Sequence, residues 1–462
     1  MESSDPADVA VIGAGVVGCA MSRRFALEGA RVVLLEAAHD ILAGASKGNS
    51  AILHTGFDAP PGSLEHECMQ AGRAEYLEIR AALNLPLLET GAMLVAWTEA
   101  EEGALDAIES TARVNLVPDP SRLGPAAILA REPNLSARAR AALLIPGEHI
   151  IDPWSAPLAY ALQALANGAQ IFRGTQVTAG AFDGALWHLT TPRGKIRART
   201  VINCAGLHGD RVDEALLGRS DFEIRPRKGQ FVVFDKTAAT LLRTIILPVP
   251  SERTKGVVLA PTIFGNVLVG PTAEDQDDRA RADTSTKTLR ALLDRAADIL
   301  PALAAIPVTA TYAGLRPATD RKEYRIVADP ARHRITVGGI RSTGLTAALG
   351  IARHVYRLYE SSLYESSGRA HTPPAAPATP RMPNLAEHLP RDWRTPGYGE
   401  IVCHCELVTR REIEAALAGP LPATDLGGLR RRTRAAMGRC QGFNCLARLA
   451  ALAGPRLPIP PA

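Results

Sequence analysis

Apolar residues in the first forty positions come in short unbroken runs, the pattern of strands covered on both faces. Asp8-Val9-Ala10-Val11-Ile12 reads as a buried parallel strand that runs straight into Gly13-Ala14-Gly15-Val16-Val17-Gly18, and Cys19 to Glu28 then reads as a helix. A second apolar strand, Arg31 to Leu35, ends on Glu36, eighteen residues beyond Gly18. Much later, Thr200 to Cys204 is a strand ending in Ala205-Gly206, and Arg334 to Val337 opens through Gly338-Gly339-Ile340-Arg341-Ser342-Thr343-Gly344-Leu345-Thr346 into a helix near Ala347. Strand and helix patterns alternate between these points, which predicts an α/β unit over residues 1–360: a Rossmann-like domain with an interleaved α+β substrate domain.

The pattern breaks once. Residues 361–399 hold Pro373, Pro374, Pro377, Pro380, Pro383, Pro390 and Pro396 among Ala, Thr and Ser, the composition of a semi-rigid linker. Residues 400–462 then read as a small helical domain whose core would be slight without metal. Its Arg430, Arg431, Arg432, Arg434 and Arg439 read either as a solvated helix face or as charges that offset bound thiolates or dock an acidic partner.

Composition narrows the class. At 462 residues the chain is long enough for several units and a large core, and a net charge of +4 with no basic stripe interleaved with aromatics excludes nucleic acid as partner. It has no run of eighteen apolar residues and its N-terminus is acidic, so a cytoplasmic protein is expected, or one peripheral on the inner face of a membrane, without a transmembrane segment. Seven cysteines without a disulfide-like distribution fit a reducing compartment.

The glycine runs carry chemistry. In the strand-to-helix setting Gly13 permits the tight turn, Gly15 lets backbone approach a pyrophosphate, Gly18 lets helix lie close on strand, and Glu36 can accept from ribose hydroxyls. An acid there disfavours a 2′-phosphate and hence NADP. Ala205-Gly206 and the turn through Gly339, Ile340, Ser342, Gly344 and Leu345 supply further places for close backbone approach. A second fingerprint late in the domain suits a bulky two-part cofactor, so FAD fits better than NAD.

Four of the seven cysteines crowd the last sixty residues: Cys403 and Cys405 as C-H-C, Cys440 and Cys445 as C-Q-G-F-N-C. Four thiolates hold zinc or an iron–sulfur cluster. A C-x-C pair is less usual for zinc, and the second pair, spaced by four, suits two thiolates on one iron of a [2Fe-2S] cluster.

The fingerprint, the segment Gly44-Ala45-Ser46-Lys47-Gly48-Asn49-Ser50-Ala51-Ile52-Leu53-His54-Thr55-Gly56-Phe57-Asp58, Pro226-Arg227-Lys228-Gly229-Gln230, the run Gly265 to Thr272, Gly314-Leu315-Arg316 and the Gly339-to-Thr346 turn together resemble the FAD-dependent glycerol-3-phosphate dehydrogenases and oxidases of the D-amino-acid oxidase superfamily. The tail, with thirty-four residues between Cys405 and Cys440, resembles the bacterioferritin-associated-ferredoxin (BFD) type of two-iron, two-sulfur domain, and the fusion resembles the catalytic subunit of anaerobic glycerol-3-phosphate dehydrogenases. The resemblance implies oxidation of a small anionic 2-hydroxy compound such as sn-glycerol 3-phosphate, with electrons passed through the cluster to partner subunits or a quinone. An L-2-hydroxyglutarate-type or amino-acid dehydrogenase, or a non-catalytic electron-transfer subunit, stands as the alternative. The same resemblance makes His54 the active-site base, Arg316 and Lys255 the cations for the substrate anion, and Val177 a backbone contact to adenine. Ser46, Asn49 and Ser50 would bond flavin or pyrophosphate atoms, or else merely form turns. The charged run Arg321-Lys322-Glu323-Tyr324 departs from what a glycerol-phosphate enzyme leads one to expect.

Overall fold

The structure, a computed structural model, describes residues 5–250, 256–362 and 371–457. Its organising element is the strand Ala7–Ile12, buried at every position. It pairs in parallel with Val32–Leu35 on one side and Gly194–Asn203 on the other. Parallel pairing continues outward to Gln170–Phe172 and to Arg334–Gly338, so five strands end in one row, where doubly wound sheets bind ligands. Unbroken apolar runs are needed because both faces are covered. The helices Val16–Leu27, Ser155–Ala166 and Gly344–Ser362 bury Phe25, Tyr160 and Tyr359 on one face, and Trp187, Leu189, Val212 and Leu216 fill the other.

The fingerprint helix begins at Val16, three residues earlier than the pattern predicts, so Gly18 lies in its first turn. A Cβ on Gly18 would stand 1.8 Å from the Gly13 carbonyl oxygen, and one on Gly13, whose φ is +101°, would stand 2.6 Å from that of Cys204. Neither position tolerates a side chain. The second sheet has nine strands and forms the interleaved unit. Its longest strands, Arg225–Phe234 and Val308–Ala318, pair antiparallel with Arg227 opposite Arg316.

The proline-rich segment corrects an expectation. Its described residues from 371 onward hold little regular structure, but they are no free spacer. The Met382 N–H donates to the Leu83 carbonyl (2.9 Å), Asn84 returns a bond to the Met382 carbonyl (2.7 Å), and Leu385 and Ala386 are buried in the second sheet's core. Proline withholds donors from a sheet or helix, and the remaining backbone groups find partners on the body instead.

The tail folds as a hairpin, Ile401–Cys403 with Val408–Thr409, and three short helices, Arg410–Ala418, Leu426–Thr433 and Leu446–Ala453. Its arginines are also corrected: Arg431, Arg432 and Arg434 are not a solvated face. Arg432 grips the fully buried Asp40 through two bonds (2.8 and 2.9 Å), and Arg431 donates to the Ile41 carbonyl (3.0 Å). Arg439 binds both oxygens of Asp235 (2.6 and 3.1 Å). The acidic partner these charges meet is the large domain itself. Among the described residues no helix is long and apolar enough to cross a membrane.

Candidate active site

A cleft of about 1380 Å³ opens along the row of strand ends, larger than the roughly 300–1,000 Å³ of an ordinary small-ligand pocket. It is lined by every large-domain residue given a catalytic or cofactor-binding role from the sequence except Gly18, which packs beneath the fingerprint, and Lys255, which lies outside the described residues. At one end the Glu36 carboxylate accepts from the Ala14 N–H (2.7 Å) and the Ala38 N–H (2.8 Å). Burial raises its pKa above the usual carboxylate value while these donors oppose the rise. Each oxygen keeps a lone pair for a ribose hydroxyl. The fingerprint helix has no capping side chain of its own; the Ser46 hydroxyl accepts from the Val16 N–H (2.9 Å) and keeps its proton for an anion at that helix start. Asn49 is spent differently, bonding the Ser46 carbonyl (3.2 Å) and the Ala51 N–H (2.7 Å), so its side chain shapes the loop that Ser50 shares.

Midway along the cleft, His54 is held through both its backbone and its ring. Its N–H donates to the Thr346 hydroxyl (3.0 Å), which donates to the Ile52 carbonyl (3.3 Å) and so ties the loop to the helix Gly344–Ser362. Its Nδ1 lies 2.9 Å from Glu148 Oε2. Glu148 Oε1 accepts from the Thr55 N–H (2.6 Å) and hydroxyl (2.8 Å), and Glu148 is 0% exposed. Sequence reasoning missed Glu148: it stands ninety-four residues from His54, and only its being a lone acid amid Leu143 to Ile151 hinted at a special partner.

At the far end Arg316 is half-buried, and among the described residues its guanidinium donates only to the Thr272 carbonyl (3.3 and 3.4 Å). Burial, then the neighbouring Arg227 and Arg341, push its pKa down to about 10. Arg227 is matched by Asp275 (2.8 Å), whereas Arg341, which sequence reasoning passed over, lines the cleft with Lys322 of the unexpected charged run. A cation so surrounded favours an anionic ligand.

The cysteines meet across segments. Cys403 is in hydrogen-bond contact with Cys445, and Cys405 with Cys440, so the four thiols singled out by spacing come together in two pairs. Cys403 ends the strand Ile401–Cys403, Cys405 lies in the turn that follows, and each meets one thiol from the segment 440–445. Among the described residues no three His, Cys, Asp or Glu side chains surround a single ion's position; two pairs match a cluster with two irons. The Cys445 thiol, then the N–H groups of Ala436 and Glu406, lower the pKa of Cys403 to about 6, against burial. The Asn444 and Gly442 N–H groups lower that of Cys440. The pKa values of their partners rise, that of Cys445 through its hydrogen bond to Cys403 and that of Cys405 through burial, so one thiol of each pair ionises first. Beside them, burial would raise the pKa of Glu406, but Arg434 and Lys236 hold it below the usual value. Arg434 lies 3.8 Å over the ring of Phe264, which stacks on Trp154 at 5.8 Å, and the Trp154 indole N–H donates to the Lys47 carbonyl of the cleft loop (3.3 Å). The small domain thus abuts the wall of the cleft.

Comparison with known proteins agrees with this geometry. Residues 8–358 match the family described as FAD dependent oxidoreductase, and residues 401–453 the BFD-like [2Fe-2S] binding domain. A glycerol 3-phosphate dehydrogenase of Caloramator mitchellensis is 32% identical over 448 residues, covering 96% of this chain and 92% of that protein. One subunit of the anaerobic glycerol-3-phosphate dehydrogenase of Escherichia coli K12 is 25% identical over 97% of this chain and 88% of its own length. The FAD-bound L-α-glycerophosphate oxidase structure from Mycoplasma pneumoniae superposes with a TM-score of 0.75 at 27% identity, covering 82% of this chain and all (100%) of that one.

Proposed function

The chain belongs to the FAD dependent oxidoreductase family and carries a BFD-like [2Fe-2S] domain, and from that premise we propose that it oxidises sn-glycerol 3-phosphate to dihydroxyacetone phosphate and delivers the electrons to a partner protein or a quinone. It is an enzyme of the glycerol-3-phosphate dehydrogenase and oxidase type, with FAD and a [2Fe-2S] cluster as cofactors. The observation that carries the proposal is the convergence of His54 and the half-buried Arg316 on the cleft that holds the dinucleotide fingerprint.

When bound, FAD supplies a two-electron hydride acceptor and the cluster a one-electron carrier. The residues do the rest. Oxidation of a secondary alcohol removes a proton from oxygen and a hydride from carbon, leaving a ketone; His54 Nε2 takes that proton. Arg316, supported by Arg341 and Lys322, holds the phosphate and so fixes which carbon faces the acceptor. Glu36, Ser46 and the glycine turns hold the dinucleotide, Val177 supports its adenine, and Lys255 joins the anion site. Cys403, Cys405, Cys440 and Cys445 hold the cluster. This reading sets the protein in the cytoplasm, where partner subunits would carry electrons on to a membrane.

Lys322 and Arg341 add charge that would also suit a second carboxylate, which favours an L-2-hydroxyglutarate-type substrate as the other reading. Anaerobic mixing of the FAD-loaded protein with glycerol 3-phosphate, L-2-hydroxyglutarate and glycerol, with the ketone product identified, decides between them. Bleaching of the flavin by glycerol 3-phosphate alone is expected; bleaching by L-2-hydroxyglutarate alone would overturn the proposal.

A further inference from the structure

We infer that Glu148 is the positioning residue of the active site, fixing His54 in the tautomer that carries its proton on Nδ1 and so presents an unprotonated Nε2 to the substrate. The inference rests on the reading of His54 as the base. Its warrant is the closed set of contacts around one buried carboxylate. Glu148 Oε1 is committed to Thr55, whose backbone N–H (2.6 Å) and hydroxyl (2.8 Å) converge on it, leaving Oε2 for His54 Nδ1 at 2.9 Å. A carboxylate accepts and does not donate, so Nδ1 must carry the proton. The ring cannot turn over without abandoning this contact, because the His54 backbone is pinned through Thr346.

The cation that faces this dyad from the neighbouring helix is Arg73, whose guanidinium donates to the Gly147 carbonyl (2.8 Å). Its charge also interacts with that of Glu148. Nothing in the fold needs an acid at 148 for packing: the strands on either side, Ala141–Ile145 and His149–Ile151, are held by their own ladders. A buried charge of this kind is costly unless it is fully paired. Both oxygens are paired with the histidine segment.

Glu148→Gln makes a sharp test. The Thr55 N–H can only donate, so the amide oxygen must stay beside it and the amide NH₂ must face His54 Nδ1. That nitrogen is then forced to accept, the proton moves to Nε2, and the base is lost while the shape of the site is kept. We expect Glu148→Gln to retain FAD and glycerol 3-phosphate affinity within about 2-fold, and to slow flavin reduction about 10²- to 10⁴-fold, the range for a lost or mis-tautomerised base. The ¹⁵N spectrum of histidine-labelled protein, with His54 assigned by its loss in His54→Ala, should move from the Nδ1–H to the Nε2–H pattern. Glu148→Asp, which restores a carboxylate, should recover the parental tautomer and part of the rate. An unchanged tautomer in Glu148→Gln, or reduction at the parental rate while His54→Ala is slow, would overturn the inference and leave the proposed function standing. Parental rates in both variants would instead remove His54 as the base and end both.

Discussion

Arg316→Ala tests the anion site by removing a half-buried cation that the described residues leave poorly matched. The guanidinium's partner among the described residues is one carbonyl at 3.3 and 3.4 Å, and its neighbours Arg227 and Arg341 are also cationic. A bound phosphate is the group that completes it. Charge-assisted hydrogen bonds contribute roughly 1.5–3 kcal/mol each, and truncating one side of a buried charge pair costs about 2–5 kcal/mol. Because Arg341 and Lys322 line the same cleft and retain some attraction, the lower part of that range applies: about 2–4 kcal/mol, or roughly 30- to 700-fold in Kd at about 1.4 kcal/mol per decade. Arg316→Lys should recover only part, since the forked geometry is lost. The same mismatch predicts that Arg316→Met, which fills the space without charge, leaves the ligand-free protein about as stable as the parent, because replacing a poorly paired, partly desolvated charge by an apolar group is often neutral. Anaerobic flavin reduction as a function of substrate concentration gives Kd, and a thermal melt gives the stability. The reasoning is refuted if Arg316→Ala weakens glycerol and glycerol 3-phosphate equally, or if it leaves Kd unchanged.

Further outcomes follow from other sites. Asp40→Ala strands Arg432 in the domain interface, at a cost of about 3–5 kcal/mol for an uncompensated buried partner; limited proteolysis should then release the small domain faster than from the parent, and equal rates would show that the contact does not hold it. Burial raises the pKa of Glu36 above 4.5, and a ribose needs the ionised form; FAD affinity should therefore be full well above that raised value and fall as pH drops through it. Fluorescence of released FAD should show this fall in the parent and a pH-flat, weaker affinity in Glu36→Gln; identical profiles would remove Glu36 from the ribose site. Cys440→Ser should leave flavin reduction by substrate at the parental rate, since that half-reaction uses only the large domain, and should stop turnover with a quinone.

The backbone of the large domain was legible because its signals are local. The apolar runs at Val9–Ile12 and Val32–Leu35 mark strands covered on both faces, and Gly13 and Gly18 stand where a Cβ would strike a carbonyl oxygen. The dinucleotide end of the cleft was legible for the same reason. Long-range pairings were not. Nothing near His54 announces Glu148, and spacing alone does not show that Cys403, at the end of its strand, meets Cys445 while Cys405, in the turn beyond, meets Cys440. The arginines 431, 432 and 434 resemble a surface face until docking brings Asp40 to Arg432 and the hairpin turn of their own domain brings Glu406 to Arg434. The prolines of residues 371–399 predict the lack of regular structure but not the burial of Leu385 and Ala386, which depends on a groove formed elsewhere.

The central claim, that one chain takes electrons from glycerol 3-phosphate and carries them into its own cluster, is tested most directly by mixing the oxidised, cofactor-replete protein with that substrate under anaerobic conditions, following flavin absorbance and freezing samples for electron paramagnetic resonance. The account predicts flavin bleaching followed by the signal of a reduced [2Fe-2S] centre, with the bleaching retained and the signal absent in Cys440→Ser. A flavin that stays oxidised in glycerol 3-phosphate would contradict the assigned substrate, and a flavin that bleaches while the parent's cluster stays oxidised would contradict the electron route.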